Sequence, residues 1–277
     1  MAAKCIEVEV TQVWRWTDHL FSFRTERPSG FRFTPGQFAR LGIKADASDA
    51  APSIWRAYSM VSGPYDEYLE YYSIVVPDGA FTSRLQHLKA GDTLFMEEQN
   101  HGFLTLERFA LEGDLWMLAS GTGLAPFMSM LADPLTWESF DRILLVHSVR
   151  EEKELAYREE IEGFKDHPIY GEWAHKLHYQ PVVTRRGQNS PTTEFPFSFK
   201  AKNSSRFWSA QCLWSARNLC SAAILRWSTT RVPRSSSGDL SRLVPQGLGR
   251  LPPRTIGSGS CPSAILRRLP WAPLTKT

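Results

Sequence analysis

The sequence predicts a two-domain chain of β plus α/β class. An antiparallel β-barrel comes first. A doubly wound parallel sheet follows, incomplete, and runs into an irregular C-terminal tail. Three observations predict this. Short alternating strands at close spacing fill residues 1–105. Continuous apolar runs separated by helical spacing fill residues 106–189. Residues 190–277 show neither period. The chain has 277 residues, enough for two ordinary domains.

In the first part, Ile6, Val8 and Val10 alternate with polar residues, as in a half-buried strand. Leu20–Arg24 is a second such run. The turn Thr34–Gln37 leads into the strand Phe38–Ile43. Tyr68–Val76 is rich in aromatic and β-branched residues, and Thr93–Glu97 follows the turn Ala90–Asp92. The pattern then changes. Leu115–Ala119 and Arg142–His147 read as strands buried on both faces, and Leu177–Thr184 as a third. Gly121–Gly123 ends the first of them, and Leu124–Met128 opens a helix with Pro126 in its first turn. Glu151–Phe164 has helical spacing, with Leu155, Ile161 and Phe164 as its apolar stripe. Strand, helix, strand, helix, strand is the doubly wound pattern.

Composition narrows the function classes. Hydrophobic residues make up 42% and charged residues 22%, so the chain is neither collagen-like nor mostly disordered. No run approaches eighteen uncharged apolar residues. Glu7 and Glu9 stand where a signal peptide needs an apolar core, so a cytoplasmic location and no membrane partner are expected. Four cysteines make no disulfide framework, and no CxxC pair suggests zinc; no metal is expected.

Two short motifs carry chemistry. Arg56-Ala57-Tyr58-Ser59 offers a planar fork for phosphate, a stacking ring and a hydroxyl. Taken alone it reads more readily as an exposed strand edge than as a binding motif. Gly121-Thr122-Gly123-Leu124-Ala125-Pro126 is a glycine turn between a buried strand and a helix. Such a turn lets backbone N–H groups approach a pyrophosphate at the helix N-terminus.

Together with Pro35-Gly36-Gln37-Phe38, Val76–Leu85, Leu118–Phe127, Val146–Arg150 and Val182–Arg185, these motifs stand in a specific order. Residues 1–186 resemble bacterial ferredoxin–NADP reductases, within the wider flavoprotein pyridine-nucleotide reductase family. The resemblance implies a barrel that binds FAD (1–105) and the N-terminal part of an α/β domain that binds NADP(H) (106–189). It implies that Arg56 meets the FAD pyrophosphate, with Ala57 beside it. Tyr58 would stack on the isoalloxazine and Ser59 would lie near its N5, the two taken as the catalytic pair. Tyr72, Ser73, Ile74 and Val75, with Ala80, Phe81 and Thr82, would hold the rest of FAD. Gly121, Thr122 and Gly123 would hold the dinucleotide, with Thr122 between the two rings. Arg150 and Arg185 would grip the 2′-phosphate that separates NADPH from NADH. The implied reaction is hydride transfer from NADPH to flavin N5, then single-electron steps to ferredoxin or flavodoxin. Cys5, His101 and His147 are read as packing or surface residues.

The resemblance stops after Arg186. Residues 190–277 carry 13 of the 32 Lys and Arg and only two acids, Glu194 and Asp239, leaving 19 basic and 27 acidic residues in 1–189. The family's G-R-I-P-x-L-I and C-G-N-P-x-M-V-x-D-T-R segments and its terminal aromatic are missing. Joining the last base of each codon to the first two of the next restores them. From Ser221 to Val232 the junctions permit C-G-N-P-E-M-V-D-D-T-R, and from Thr193 to Phe199 they permit R-I-P-x-L-I. The hypothesis is one base lost, or two gained, near codons 186–193, with 190–277 an out-of-frame, disordered tail. The basic residues there show no helical or strand pattern, so no nucleic-acid partner is expected. A chain made as written is expected to leave a sheet edge unpaired and to bind FAD weakly. It would then be a defective flavin-binding protein. A reductase component of an oxygenase system is the other alternative.

Overall fold

The structure, a computed structural model, describes residues 4–46, 48–109 and 111–185, and the backbone of 208–214 and 220–227. Strand β1 (Cys5–Arg15) organises the first sheet. Its N-terminal half pairs with β6 (Thr93–Glu97) and its C-terminal half with β2 (Leu20–Glu26), the switch falling at an irregularity between Val10 and Gln12. An extra residue at such a point bends the strand and lets one chain serve two neighbours. With β3 (Phe38–Ile43), β4 (Ile54–Ser59) and β5 (Tyr68–Ile74) the order is β4-β3-β6-β1-β2-β5, antiparallel throughout. A bridge between Met60 and Tyr71 joins the two ends and nearly closes the barrel. Val8, Val10, Phe21, Phe23, Leu41, Tyr71, Leu94 and Met96 fill it, all buried. The one-turn helix α1 (Thr82–Leu85) follows the Val76–Gly79 turn and drops Phe81 and Leu85 into the same core.

The second sheet is built on three parallel strands, β7 (Asp114–Ser120), β8 (Arg142–Val149) and β9 (Leu177–Val183), in sequence order. Parallel strands covered on both faces need near-continuous apolar sequence, which Leu115–Ala119 supplies. Arg142 closes on Asp114 of the neighbouring strand through two bonds of 2.8 and 2.5 Å, a bidentate pair that sets the register at the strand starts. Helix α2 (Ala125–Leu131) is buried along its whole length and carries its Pro at the first turn, as the sequence predicts. Helix α3 (Pro134–Ser139) is capped by the Asp133 side chain. Leu20, Val61 and Tyr72 of the barrel unit share one apolar cluster with α2 and the parallel sheet, so the two units are packed together.

Two expectations change. The helix over Glu151–Phe164 is broken: a 3-10 turn spans Glu152–Glu154, and α4 covers only Arg158–Gly163. The break is at Tyr157, whose φ of 61° is left-handed. A non-glycine residue there costs about 1–2 kcal/mol, and tertiary contacts of the Tyr157 side chain hold it, overriding the helical period. Second, part of the segment expected to be irregular forms strands β10 (Trp208–Trp214) and β11 (Cys220–Trp227). Strand β11 lies antiparallel on β7, covering the edge expected to be unpaired. An open strand edge is a row of free N–H and C=O groups that templates pairing with any extended apolar segment, and Cys220–Trp227 is one. The rest of 190–277, and with it most of the segment hypothesised to be out of frame, lies outside the described residues. Among the described residues no helix is long and apolar enough to cross a membrane.

Candidate functional site

The Arg56–Ser59 motif lies on β4, at one end of the barrel sheet, paired with β3. Alternation puts Arg56 and Tyr58 on one face and Ala57 on the other. Tyr58 is buried, Ser59 is half-buried, and Arg56 and Ala57 are exposed. The Arg56 guanidinium donates to the carbonyl of Trp55 at 2.7 Å, which leaves most of its fork toward solvent. The Tyr58 ring packs against Phe23, Tyr71 and Phe81 at 5.7–6.2 Å. Its hydroxyl lies 2.9 Å from Ser73 Oγ on β5. Burial pushes the phenol up to about 12, so it keeps its proton at neutral pH and has no acid–base role there. Only 9% of Tyr58 is exposed, so the barrel core holds this ring more deeply than an edge motif suggests.

Around it, Ser73 is buried and Ile74 exposed, and the Val75 N–H donates to His19 O at 2.7 Å. Thr82 Oγ1 accepts from the Val76 N–H at 3.0 Å and so clasps the turn that carries Ala80 and Phe81. Tyr72 faces the other way, toward the α/β unit. It is 3% exposed and its hydroxyl is buried without a hydrogen-bond partner among the described residues.

At the carboxyl end of β7, Gly121 has φ +53° and no atom within 4 Å of where a Cβ would sit. The turn Gly121–Leu124 is therefore a backbone surface open to close approach, feeding directly into α2. Thr122 is half-buried on it and Gly123 buried. The turn packs against β5, which brings the second motif to the strand whose Ser73 anchors Tyr58. This juxtaposition joins the two motifs across 60 residues of sequence.

Arg150 and Arg185 meet at the ends of β8 and β9, where the Arg185 N–H donates to Arg150 O at 2.8 Å. Both are exposed. Arg185 lines a cleft of about 680 Å³ with Glu151, Leu155, Arg158 and Val183. The Glu154 carboxylate orders this corner. One oxygen accepts the N–H groups of Arg150 and Glu151, and the other meets His19 Nε2 of the barrel unit at 2.9 Å. These bonds outweigh burial and hold the Glu154 carboxyl below its usual range.

Sequence reasoning missed the contacts between the units. Tyr157, Glu70 and Ser22 form a buried polar cluster there, joined by the half-buried Arg24. Burial raises the Glu70 carboxyl, against the opposing pull of Arg24 and Tyr157. The one available signal was Glu70, an acid within a strongly apolar strand. Of the residues read as packing or surface, Cys5 and His101 are half-buried and His147 is fully buried. Among the described residues no group of three or more His, Cys, Asp or Glu could hold a metal.

His147 yields a testable pH dependence. Burial lowers its pKa from 6.5 to about 4, against a smaller opposing pull from the Gly121 backbone. The folded chain thus binds fewer protons than the unfolded chain between these values. Stability is full above pH 6.5 and falls as pH drops toward 4, by about 3 kcal/mol from this residue. His147→Gln should shrink the loss measured by urea unfolding between pH 7.5 and 4.5 by about that amount. An unchanged difference would sink the assignment.

Comparison with known proteins follows the same lines. Residues 117–194 match the family model described as the oxidoreductase NAD-binding domain. The chain is 43% identical over 178 residues to a flavodoxin/ferredoxin–NADP reductase of Rhodobacter capsulatus, covering 64% of this chain and 65% of that one. It is 44% identical over 178 residues to a ferredoxin–NADP reductase of Pseudomonas aeruginosa, covering 64% of this chain and 67% of that one. The matched part therefore spans about two thirds of the length of these curated relatives. Among solved structures, a ferredoxin NADP+ reductase from Neisseria gonorrhoeae with bound FAD and NADP superposes with TM-score 0.58 at 33% identity. That match covers 69% of this chain and 72% of that one.

Proposed function

The chain belongs to the ferredoxin–NADP reductase family, and on that premise we propose that it is an FAD-dependent oxidoreductase passing electrons between NADPH and ferredoxin or flavodoxin in the cytoplasm. The observation that carries this is the packing of the Gly121–Leu124 turn against β5, which places a pyrophosphate-type turn beside the strand that anchors Tyr58. Residues 1–105 serve the flavin, and residues 106–189 serve the nicotinamide dinucleotide.

The residues present suit both groups. The Arg56 guanidinium is open to a pyrophosphate. The buried Tyr72 hydroxyl has a hydrogen bond to give. Gly121 leaves room for close backbone approach. Arg150 and Arg185 form a pair suited to a phosphate monoester. When bound, FAD supplies the exchange between two-electron and one-electron chemistry. The chain's own residues hold and orient. Tyr58, locked through Ser73, would meet the flavin with the small part of its ring left exposed. Ser59 supplies a hydroxyl near the reacting edge, and Thr122 keeps the two rings in order. Tyr72–Val75 and Ala80–Thr82 line the remainder of the flavin site.

The test is direct. Full-length chain supplied with FAD should be yellow and should oxidise NADPH with ferricyanide as acceptor. Replacing both Arg150 and Arg185 by Ala should lower kcat/KM for NADPH by about 30-fold, roughly 2 kcal/mol of lost charge-assisted binding, and leave NADH unchanged. Equal losses for both cofactors would refute the 2′-phosphate assignment.

A second reading is supported by the unmatched final third of the relatives and by the tail composition. In it the chain as written is a flavin-binding protein without reductase activity. Yellow colour without NADPH oxidation would select it.

A further inference from the structure

Tyr157 of the α/β unit reaches into the barrel unit. It precedes α4 and is 3% exposed. Its hydroxyl lies 2.5 Å from Ser22 Oγ on β2 and donates to Glu70 Oε1 on β5 at 2.8 Å. The second Glu70 oxygen accepts from Arg24 Nε at 2.8 Å, and Trp16 Nε1 donates to Ser22 Oγ at 2.9 Å. The ring packs on Trp16 at 4.8 Å and edge-on to Tyr72 at 5.4 Å. Ser22 pairs with Tyr72 and Arg24 with Glu70, so these four residues form one face of the β2–β5 ladder. The opposite face of β5 carries Ser73, which holds Tyr58. One strand therefore bears the anchor of Tyr157 on one side and the anchor of the ring platform on the other.

We propose that Tyr157 is a positioning residue for electron exchange: its hydroxyl, held between Ser22 and Glu70, sets the angle at which the Gly121–Gly123 turn meets the Tyr58 platform. The left-handed backbone at Tyr157 supports this, since such a conformation is costly for a non-glycine residue and persists only where surrounding contacts hold it. Neighbouring bonds tie the same junction: His19 to Glu154 at 2.9 Å, and Ser129 Oγ to Ser62 O at 2.7 Å. They clamp position, and the Tyr157 hydroxyl bonds both Ser22 and Glu70 on the ladder face that backs the flavin site. The inference rests on the reductase reading.

The test compares full-length chain with Tyr157→Phe, which removes the hydroxyl and keeps the ring. Glu70→Gln is the second variant, which keeps a hydrogen-bonding partner. Three quantities are measured: affinity for FAD, affinity for 2′-phospho-AMP, and the change in the flavin absorption band on adding NADP+. A fourth, hydrogen exchange of amides 156–161, needs no flavin. Tyr157→Phe should hold both affinities within about twofold, cut the absorption change at least about fivefold, and speed exchange of those amides about tenfold. Glu70→Gln should show smaller changes in the same direction. An unaltered absorption change, or a loss matched by an equal loss of FAD affinity, overturns the proposal. If the parent chain takes up no FAD, the reductase reading fails on its own; in that case, or where the parent shows no absorption change with NADP+, unchanged exchange in Tyr157→Phe overturns the docking role separately.

Discussion

Inserting one base within codons 186–193, so that the chain continues through R-I-P-x-L-I and C-G-N-P-E-M-V-D-D-T-R, should raise NADPH-driven ferricyanide reduction at least about a hundredfold over the chain as written. A hundredfold corresponds to about 3 kcal/mol of transition-state stabilisation. The physical reason is orientation. On the proposed assignment, the residues at the end of β7 and at Arg150 and Arg185 would grip the pyrophosphate and 2′-phosphate, and neither grip would fix the reacting ring at the far end of the dinucleotide. A ring that is bound but not aimed loses most of the advantage of proximity. In the family pattern, the Cys-containing segment stands near the nicotinamide, and the codon junctions from Ser221 to Val232 permit it in the shifted frame. Both proteins should be yellow, and both should bind 2′-phospho-AMP through Arg150 and Arg185. Equal turnover by the two would sink the frameshift hypothesis. Reading the source DNA across these codons on both strands is the independent check.

Trp137→Ala should destabilise the α/β unit by about 3–5 kcal/mol, the range for emptying a large buried aromatic site. Trp137 on α3 is fully buried. Its ring stacks on Tyr170 at 5.6 Å and meets Phe164 at 5.3 Å, and its indole N–H donates to Leu131 O at the end of α2. The substitution leaves a cavity beside the Phe164 and Tyr170 rings and strips the Leu131 carbonyl of this donor, so the cost combines lost packing with a lost hydrogen bond. Unfolding by urea, followed by tryptophan fluorescence and circular dichroism, measures it. Trp137→Phe keeps most of the ring volume and should cost about half as much. A change below about 1 kcal/mol for the alanine variant would show that α3 adds little to the packing of the sheet.

Much of the architecture was legible in the sequence because local chemistry punctuates it. Strands Phe38–Ile43 and Thr93–Glu97 match to the residue. Each follows a tight turn: the Gln37 N–H donates to Thr34 O, and Gly91 takes φ +92°. A turn of that kind leaves little freedom in where the next strand begins. The parallel strands were legible from their unbroken apolar runs, and the Pro126 helix start from the fixed φ of proline. The two motifs stood out as well, because each gathers its residue types within four to six consecutive positions.

What only the tertiary structure decided is how these parts meet. Ser22 and Tyr157 are 135 residues apart and Glu70 and Tyr157 are 87 apart, and each is an ordinary polar residue in its own segment. Helical periodicity over Glu151–Phe164 is satisfied locally by Leu155, Ile161 and Phe164. Tyr157 leaves it because its hydroxyl finds buried partners that a regular helix would forgo. The depth of Tyr58 in the barrel and its bond to Ser73 follow from closure of the barrel between β4 and β5, which no local pattern encodes. The sequence by itself determined the strands, the turns and the two motifs, through short-range sterics and hydrophobic period. The junction between the units was settled by long-range burial of polar groups that can be satisfied only by one another.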